Sequence, residues 1–314
     1  MGMQKSIAVV APVFNEEECI LEFIKQITEV FDNNQEYSWR LILVENGSTD
    51  ESWNLMSVAR QTRKDIDVIR LSRNFGMDGG LAAGLKFVRE DAVILMVSDL
   101  QDPPQAIPLF VRKWQEGFDN VFAIVSKRNG VPLLRRINSQ LFYLIANKMT
   151  GNLIPKNVSD FRLLSKRCYQ QLIRLEEVNP VLRGLIAWLG FESTGIRVER
   201  APRFGGKSKA HSWKVIGLGV RAILAHSLIP LRFISLMGAV LSIGSFVTLI
   251  VTTVLFLTSG VPFPGFGTLL TVIVFLFGLL FSMLGMIAEY VGMTYQEVKR
   301  RPNFIVKDTY LNSD

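Results

Sequence analysis

The sequence predicts an α/β domain built on a mostly parallel sheet and joined to two membrane-spanning helices. Three observations predict it. In residues 1 to about 200, short and wholly apolar runs alternate with stretches of helical periodicity. Polar clusters close the apolar runs, at the strand ends where open α/β sheets bind ligands. After residue 228 the apolar residues gather into two long uncharged segments.

The elements follow in order. Ile7 to Val13 reads as a strand that stops at Asn15-Glu16-Glu17. Glu16 to Phe31 then places Ile20, Phe23, Ile24, Ile27, Val30 and Phe31 at helical spacing. Leu41 to Val44 is a second strand, ended by Asn46-Gly47-Ser48, and Asp50 to Arg60 reads as a helix. Val68 to Leu71, a turn at Ser72–Asn74 and a helix from Gly76 to Arg89 repeat the unit. Val93 to Val97 is a fourth strand, Ala106 to Gln115 is helical, and Val121 to Val125 is strand-like. Short strands apolar on both faces, alternating with helices, belong to a parallel sheet covered on both sides.

Phe233 to Leu257 and Gly265 to Ala288 hold 25 and 24 residues without a charge. Either run spans a hydrocarbon core of ~30 Å. The link from Thr258 to Phe266 is short, uncharged and broken by Pro and Gly, as a hairpin turn requires. It carries no Lys or Arg, whereas Arg200 to Arg232 is basic and free of acids and the tail carries Lys299, Arg300, Arg301 and Lys307. The positive-inside rule therefore predicts a cytoplasmic N-terminal part and a cytoplasmic tail. The expected divisions are a catalytic domain over 1–210, an amphipathic juxtamembrane helix over 211–230, two transmembrane helices within 231–291 (about 233–257 and 266–289), and a tail over 292–314.

The 314 residues carry a net charge of +7 and are 49% hydrophobic, which excludes a disordered chain. Such a charge suits an anionic membrane surface or phosphate-bearing substrates. Nucleic acid is set aside, because the basic stretch adjoins the apolar segments and no nucleic-acid-binding motif is present. Cys19 and Cys168 are expected as buried thiols, and two histidines without a CxxC leave no His/Cys zinc site. The N-terminus lacks the pattern of a cleaved secretory signal.

The sharpest polar cluster is Ser98-Asp99-Leu100-Gln101-Asp102-Pro103-Pro104. Hard oxygen donors in so short an arc suit Mg²⁺ or Mn²⁺ bridging a diphosphate. Asp99 is the candidate ligand, since it has no visible capping task; Asp102, followed by Pro103, is read as the cap of the next helix. Glu45 is placed to accept from a nucleobase or ribose, and Gly47 permits a tight turn. Asp160 beside Arg162 reads as a structural ion pair unless the fold brings it to the site. Arg128, Arg135 and Arg136, and the Gly-hinged basic loop Arg203 to Lys209, are candidates for lipid headgroups or for one specific lipid phosphate.

Taken in order, Val9-Val-Ala-Pro12-Val-Phe-Asn15-Glu-Glu17, Gly47-Ser48-x-Asp50, Arg73-Asn74-Phe75-Gly76, Asp99-Leu-Gln-Asp-Pro-Pro104, Asp160-Phe-Arg-Leu163, Gly206-x-Ser208-Lys209 and Glu289-Tyr-Val-Gly-x-Thr-Tyr295 resemble one family over nearly the whole chain. It is that of the polyprenyl-phosphate glycosyltransferases of glycosyltransferase family 2, which includes bactoprenol glucosyltransferases and dolichol-phosphate mannosyltransferases. The resemblance implies a GT-A (Rossmann-like) fold and a bacterial inner-membrane enzyme. It would move one sugar from a nucleotide sugar, such as UDP-glucose or another UDP-hexose, to undecaprenyl phosphate with inversion. The product would serve cell-envelope glycans such as lipopolysaccharide. By this resemblance Asp99 and Gln101 would hold Mg²⁺ or Mn²⁺, and Asp160 would sit at the reacting centre. Pro12, Asn15, Glu17, Glu45, Asn46, Ser98 and Asp99 would line the nucleotide-sugar pocket. Arg128, Arg136, Arg203, Ser208 and Lys209 would take phosphates, and the protein would self-associate.

Two positions depart from the family pattern. Val97 stands where an Asp-x-Asp begins, and Asn46 stands where an Asp precedes Gly47-Ser48. Each change removes an anion near the donor, so Asp102, water or the diphosphate would have to complete the metal's shell. A non-catalytic relative that binds polyprenyl phosphate or nucleotide sugar as a scaffold is the competing expectation. A processive polysaccharide synthase is disfavoured, because two spans offer little wall for a channel.

Overall fold

The computed structural model describes residues 4–125, 158–175, 177, 181–200 and 266–312, together with individual positions between 234 and 258. The chain divides into two compact units, Met1–Val215 with Arg301–Asp314, and Ile216–Arg300.

The first unit is built on one eight-stranded sheet. Its elements are β1 (Ser6–Val13), α1 (Ile20–Asn33), β2 (Ser38–Glu45), α2 (Ser52–Thr62), β3 (Ile66–Leu71), α3 (Gly76–Leu85), β4 (Ala92–Leu95), α4 (Ile107–Gln115), β5 (Asn120–Val125), β6 (Val158–Ser165), α5 (Lys166–Arg174), α6 (Leu182–Trp188), β7 (Ser193–Val198) and β8 (Val306–Tyr310). The strand order is β7-β5-β6-β4-β1-β2-β3-β8. Pairing is parallel for β1 with β2 and β4, for β2 with β3, and for β5 with β7. It is antiparallel where β6 meets β4 and β5, and where β8 meets β3. Thus β1 to β5 and β7 point one way, while β6 and β8 return.

Alternation along the strands divides the core into two layers. Ile7, Val9, Ala11 and Val13 face Phe23, Ile27 and Phe110 from α1 and α4. Ala8 and Val10 face Leu81 and Leu85 of α3 and Tyr169 of α5. Burial on both faces explains why these strands read as unbroken apolar runs.

The predicted strands and helices form, with shifted ends. Helix α1 starts at Ile20 rather than Glu16, because the N–H groups of Cys19 and Ile20 both bond to the Glu16 carbonyl in a turn that precedes it. Strand β4 stops at Leu95, so Val97 lies beyond it. The segment around Asp160 is itself strand β6, and β7 and β8 are additional to the predicted set. Strand β8 covers the outer edge of β3, with Val68 opposite Tyr310. Arg60 of α2 donates to the carbonyls of Tyr310 and Leu311 at 2.9 and 3.1 Å, fastening this strand from the side.

In the second unit, helix α7 runs from Phe266 to Lys299. Its stretch Leu276–Lys299 is long and apolar enough to cross a membrane. The described positions between 234 and 258 are helical. Val240, Ile243, Val247 and Leu257 among them are exposed apolar residues.

Candidate active site

The common direction of β1 to β5 and β7 collects their carboxyl ends on one edge. Because β6 runs against them, its start reaches that same edge. Leu95 of β4 pairs with Arg162 of β6, so Asp160 lies further out, at the level of the chain leaving β4. The sequence distance between Asp99 and Asp160 is therefore closed by an antiparallel return. Arg200, just past β7, is hydrogen-bonded to Asp102 and feels the charges of Asp102, Asp99 and Asp160, and these hold its guanidinium above its ordinary pKa against the opposing effect of burial.

On the β1 and β2 side the predicted pocket residues are joined to one another. Asn15 has a left-handed backbone, φ 52°, which Asn tolerates better than most residues. Its N–H donates to Ser48 Oγ at 3.1 Å, and its Oδ1 accepts from the Thr49 N–H at 2.8 Å. Glu17 Oε2 accepts from the Glu51 N–H at 3.0 Å. Burial raises the pKa of Asp50, but hydrogen bonds from the Ser52 hydroxyl and from the Ser52 and Glu17 backbones hold it below its ordinary value. Asn15 and Glu17 thus stitch the loop after β1 to the loop after β2.

Glu45 is 1% exposed. One of its oxygens accepts from the Ser48 N–H, and the other pairs with Arg70 at 3.3 Å. Arg70 also lies over the Trp53 ring. Asn46 is buried and fully employed: its Oδ1 accepts from the Phe75 N–H at 2.9 Å, and its Nδ2 donates to the Gly76 carbonyl at 2.8 Å. Only an amide does both at once, since a carboxylate has no donor for the Gly76 carbonyl. Gly47, φ 74°, allows the same loop to approach, because a Cβ there would stand 2.6 Å from backbone atoms of Arg73 and Asn74. Pro12 packs against α3, where a Cβ on Gly80 would come within 2.7 Å of the proline ring. The Pro12 carbonyl accepts from Ser98 Oγ at 3.1 Å, tying β1 to the turn after β4.

That turn carries Asp99, Leu100 and Gln101. Leu100 takes a left-handed conformation, φ 57°. Asp99 Oδ1 accepts from the Gln101 N–H at 3.2 Å, and both side chains are half-buried at the edge. Asp102 departs from the capping expectation. It makes no cap to the short 3₁₀ turn at Pro104–Ala106. Instead it is 1% exposed and receives two bonds of 2.8 Å from Arg200, plus one of 2.9 Å from Ser159 Oγ. A buried carboxylate needs such a partner, and a helix N-terminus is a weaker one than a guanidinium fork.

Asp160 is paired, but not with its sequence neighbour. Arg183 of α6 forks onto it, Nε to Oδ1 at 3.1 Å and Nη2 to both oxygens at 2.8 Å. Arg162 points instead to the Ser159 carbonyl at 3.2 Å, and burial brings its pKa down to about 10. Asp78, in the first turn of α3, completes this group. Burial first and the Asp160 charge second push its carboxyl up to about 6, against a hydrogen bond from the Leu182 N–H and the charges of Arg183 and Arg162.

Asp78, Arg183 and Arg200 were not among the predicted site residues. Arg200 stands out in the sequence only as the first basic residue of an acid-free stretch. The partners of all three are set by tertiary packing. Arg128, Arg136, Arg203, Ser208 and Lys209 lie outside the described residues. Among the described residues no cluster of three or more His, Cys, Asp or Glu is disposed to hold a metal. Asp99 and Gln101 offer oxygen donors, while Asp102 has both oxygens bonded to Arg200.

Comparison with known proteins agrees with the architecture. Residues 8–173 match the sequence model of the family described as glycosyl transferase family 2. An uncharacterised glycosyltransferase of Synechocystis sp. is 33% identical over 98% of this chain and 96% of its own length. An SfII prophage-derived bactoprenol glucosyl transferase of Shigella flexneri is 35% identical over 97% of this chain and 98% of its own. A crystal structure of a mycobacterial protein, 20% identical, shares the fold over 71% of this chain and 75% of that one with a TM-score of 0.50.

Proposed function

The chain belongs to glycosyltransferase family 2, and from that premise we propose that this transferase moves one sugar from a nucleotide sugar to a polyprenyl phosphate with inversion. The proposed donor is UDP-glucose or another UDP-hexose, and the proposed acceptor is undecaprenyl phosphate. The observation that supports this reading best is the return of β6, which adds Asp160 to the edge carrying Asp99 and Gln101. The match to a bactoprenol glucosyl transferase over 97% of the chain, apolar segments included, supports the lipid acceptor.

The chemistry follows from charge. A phosphate oxygen of the lipid attacks the anomeric carbon as the bond from that carbon to the diphosphate breaks, and the nucleoside diphosphate leaves with the electron pair. The attacking oxygen is already anionic, so the enzyme's main tasks are alignment and stabilisation of the leaving diphosphate. Asp160 orients the reacting groups. Asp99 and Gln101 are the proposed holders of Mg²⁺ or Mn²⁺, which when bound offsets charge on the leaving diphosphate. A Mg²⁺ site of one carboxylate and one amide fits a metal that draws its remaining ligands from substrate phosphates and water. Val97 and Asn46 remove two acids from the pattern, and Asn46 serves the loop instead. Asn15, Glu17, Glu45, Pro12 and Ser98 frame the nucleotide pocket in this reading, and Arg128, Arg136, Arg203, Ser208 and Lys209 receive phosphate. A membrane-embedded hairpin, with α7 as its second helix, and self-association through the spans or the tail belong to the same proposal. The same reading places the protein in a bacterial inner membrane, with its sheet and its tail in the cytoplasm.

The test is an extraction assay. Membranes containing the protein receive undecaprenyl phosphate, one of a panel of radiolabelled nucleotide sugars, and Mg²⁺, Mn²⁺ or EDTA. Label entering the organic phase from UDP-glucose, and lost in EDTA, is the expected result. Label that survives EDTA removes the metal from the proposal. No label from any donor, with folded protein that still binds lipid, overturns it in favour of a lipid-binding scaffold.

A further inference from the structure

We propose that Arg183 is a positioning residue for the transfer: carried on the first turn of α6, it holds Asp160 in a single orientation at the site. The inference rests on the placement of Asp160 at the reacting centre.

Three elements meet at this point. Asp78 belongs to α3, Asp160 and Arg162 to β6, and Arg183 to α6. Arg183, the second residue of α6, forks onto Asp160, and Asp78 in the first turn of α3 faces the charges of both. A guanidinium that bonds both carboxylate oxygens fixes rotation as well as distance, which a single ammonium does not. Arg162, on the same strand, is turned to the Ser159 carbonyl, and among the described residues the fork onto Asp160 comes from Arg183.

The charges facing Asp78 are Asp160, Arg162 and Arg183; Cys168, which also faces Arg162, is pushed up to about 12 by burial and stays a neutral thiol. With both acids ionised the two arginines balance them. When Asp78 takes a proton the group gains one positive charge, and the two arginines face one fewer carboxylate.

The experiment uses the full chain in detergent with undecaprenyl phosphate and UDP-glucose. Arg183→Met should lower kcat by ~100-fold, the scale of a misplaced reacting group, with the UDP-glucose KM changed less than about twofold. Arg183→Lys should recover only part of that loss. Arg183→Met combined with Asp160→Asn should be no slower than Asp160→Asn alone, because residues acting as one unit are not additive. Additive losses in the double variant overturn the proposal. Full activity of Asp160→Asn overturns the placement of Asp160 instead. If the wild type does not turn over this substrate pair, the donor assignment fails and thermal melting decides the present inference. Arg183→Met and Asp160→Asn should then lower the melting temperature less together than the sum of their separate losses, and additive losses overturn the proposal.

Discussion

Burial decides what single residues do at this edge. Asp102, 1% exposed, is held by Arg200 and Ser159. Arg200→Met should leave that carboxylate with one hydroxyl donor and lower stability by about 3–5 kcal/mol, the scale of an uncompensated buried charge. Thermal melting against Asp102→Asn, which removes the charge instead, checks this; the asparagine variant should lose less. Asp78 works in the other direction. Its folded pKa of about 6 exceeds its ordinary 3.8, so between those values the folded state binds more protons than the unfolded state. Stability from this group is complete below the lower value and is lost as pH rises to the upper one. Asp78→Asn should therefore raise stability at pH 7.5, by up to roughly 3 kcal/mol, and flatten the melting profile between pH 4 and 6.

At the scale of elements, the loops after β2 and β3 behave as one piece, since Asn46 clamps the second loop and Gly47 admits it. Gly47→Ala meets both a positive φ and a backbone contact of 2.6 Å, so the loop after β3 must move. A loss of about 1–3 kcal/mol is expected, with weaker UDP binding by calorimetry, and unchanged binding would detach this loop from the nucleotide pocket. The legibility of the elements follows their burial. Strands β1 to β5 were readable because both faces are apolar. Strand β6, VSDFRLLS, interrupts its apolar residues with Ser, Asp and Arg, and β8, VKDTY, is a polar edge strand. The site was legible as polar stops at strand ends, which located Asn15, Glu45 and Asp99. Its partners were not, because Arg200 meets Asp102 across 98 residues and Arg183 meets Asp160 across 23. Local sequence holds no trace of such pairings.

At the scale of the whole molecule, the proposed topology puts the sheet and the tail in one compartment, and the apolar stretch of α7 is long enough to cross a membrane. A tag appended after residue 314 should be digested by protease in inside-out vesicles and protected in right-side-out ones; the reverse pattern would invert the proposed topology. The return of the chain to the sheet has a further bearing on how the protein is made. Strand β3 meets β8 only after more than 230 further residues, α7 included, have been synthesised. At ordinary rates of translation, β3 waits on the order of 10–50 s with an open hydrogen-bonding edge. The apolar helix leaves the ribosome before the strand that closes this edge. Completion of the sheet therefore follows delivery of α7, and a nascent chain stalled short of that point presents a bare edge to chaperones and proteases.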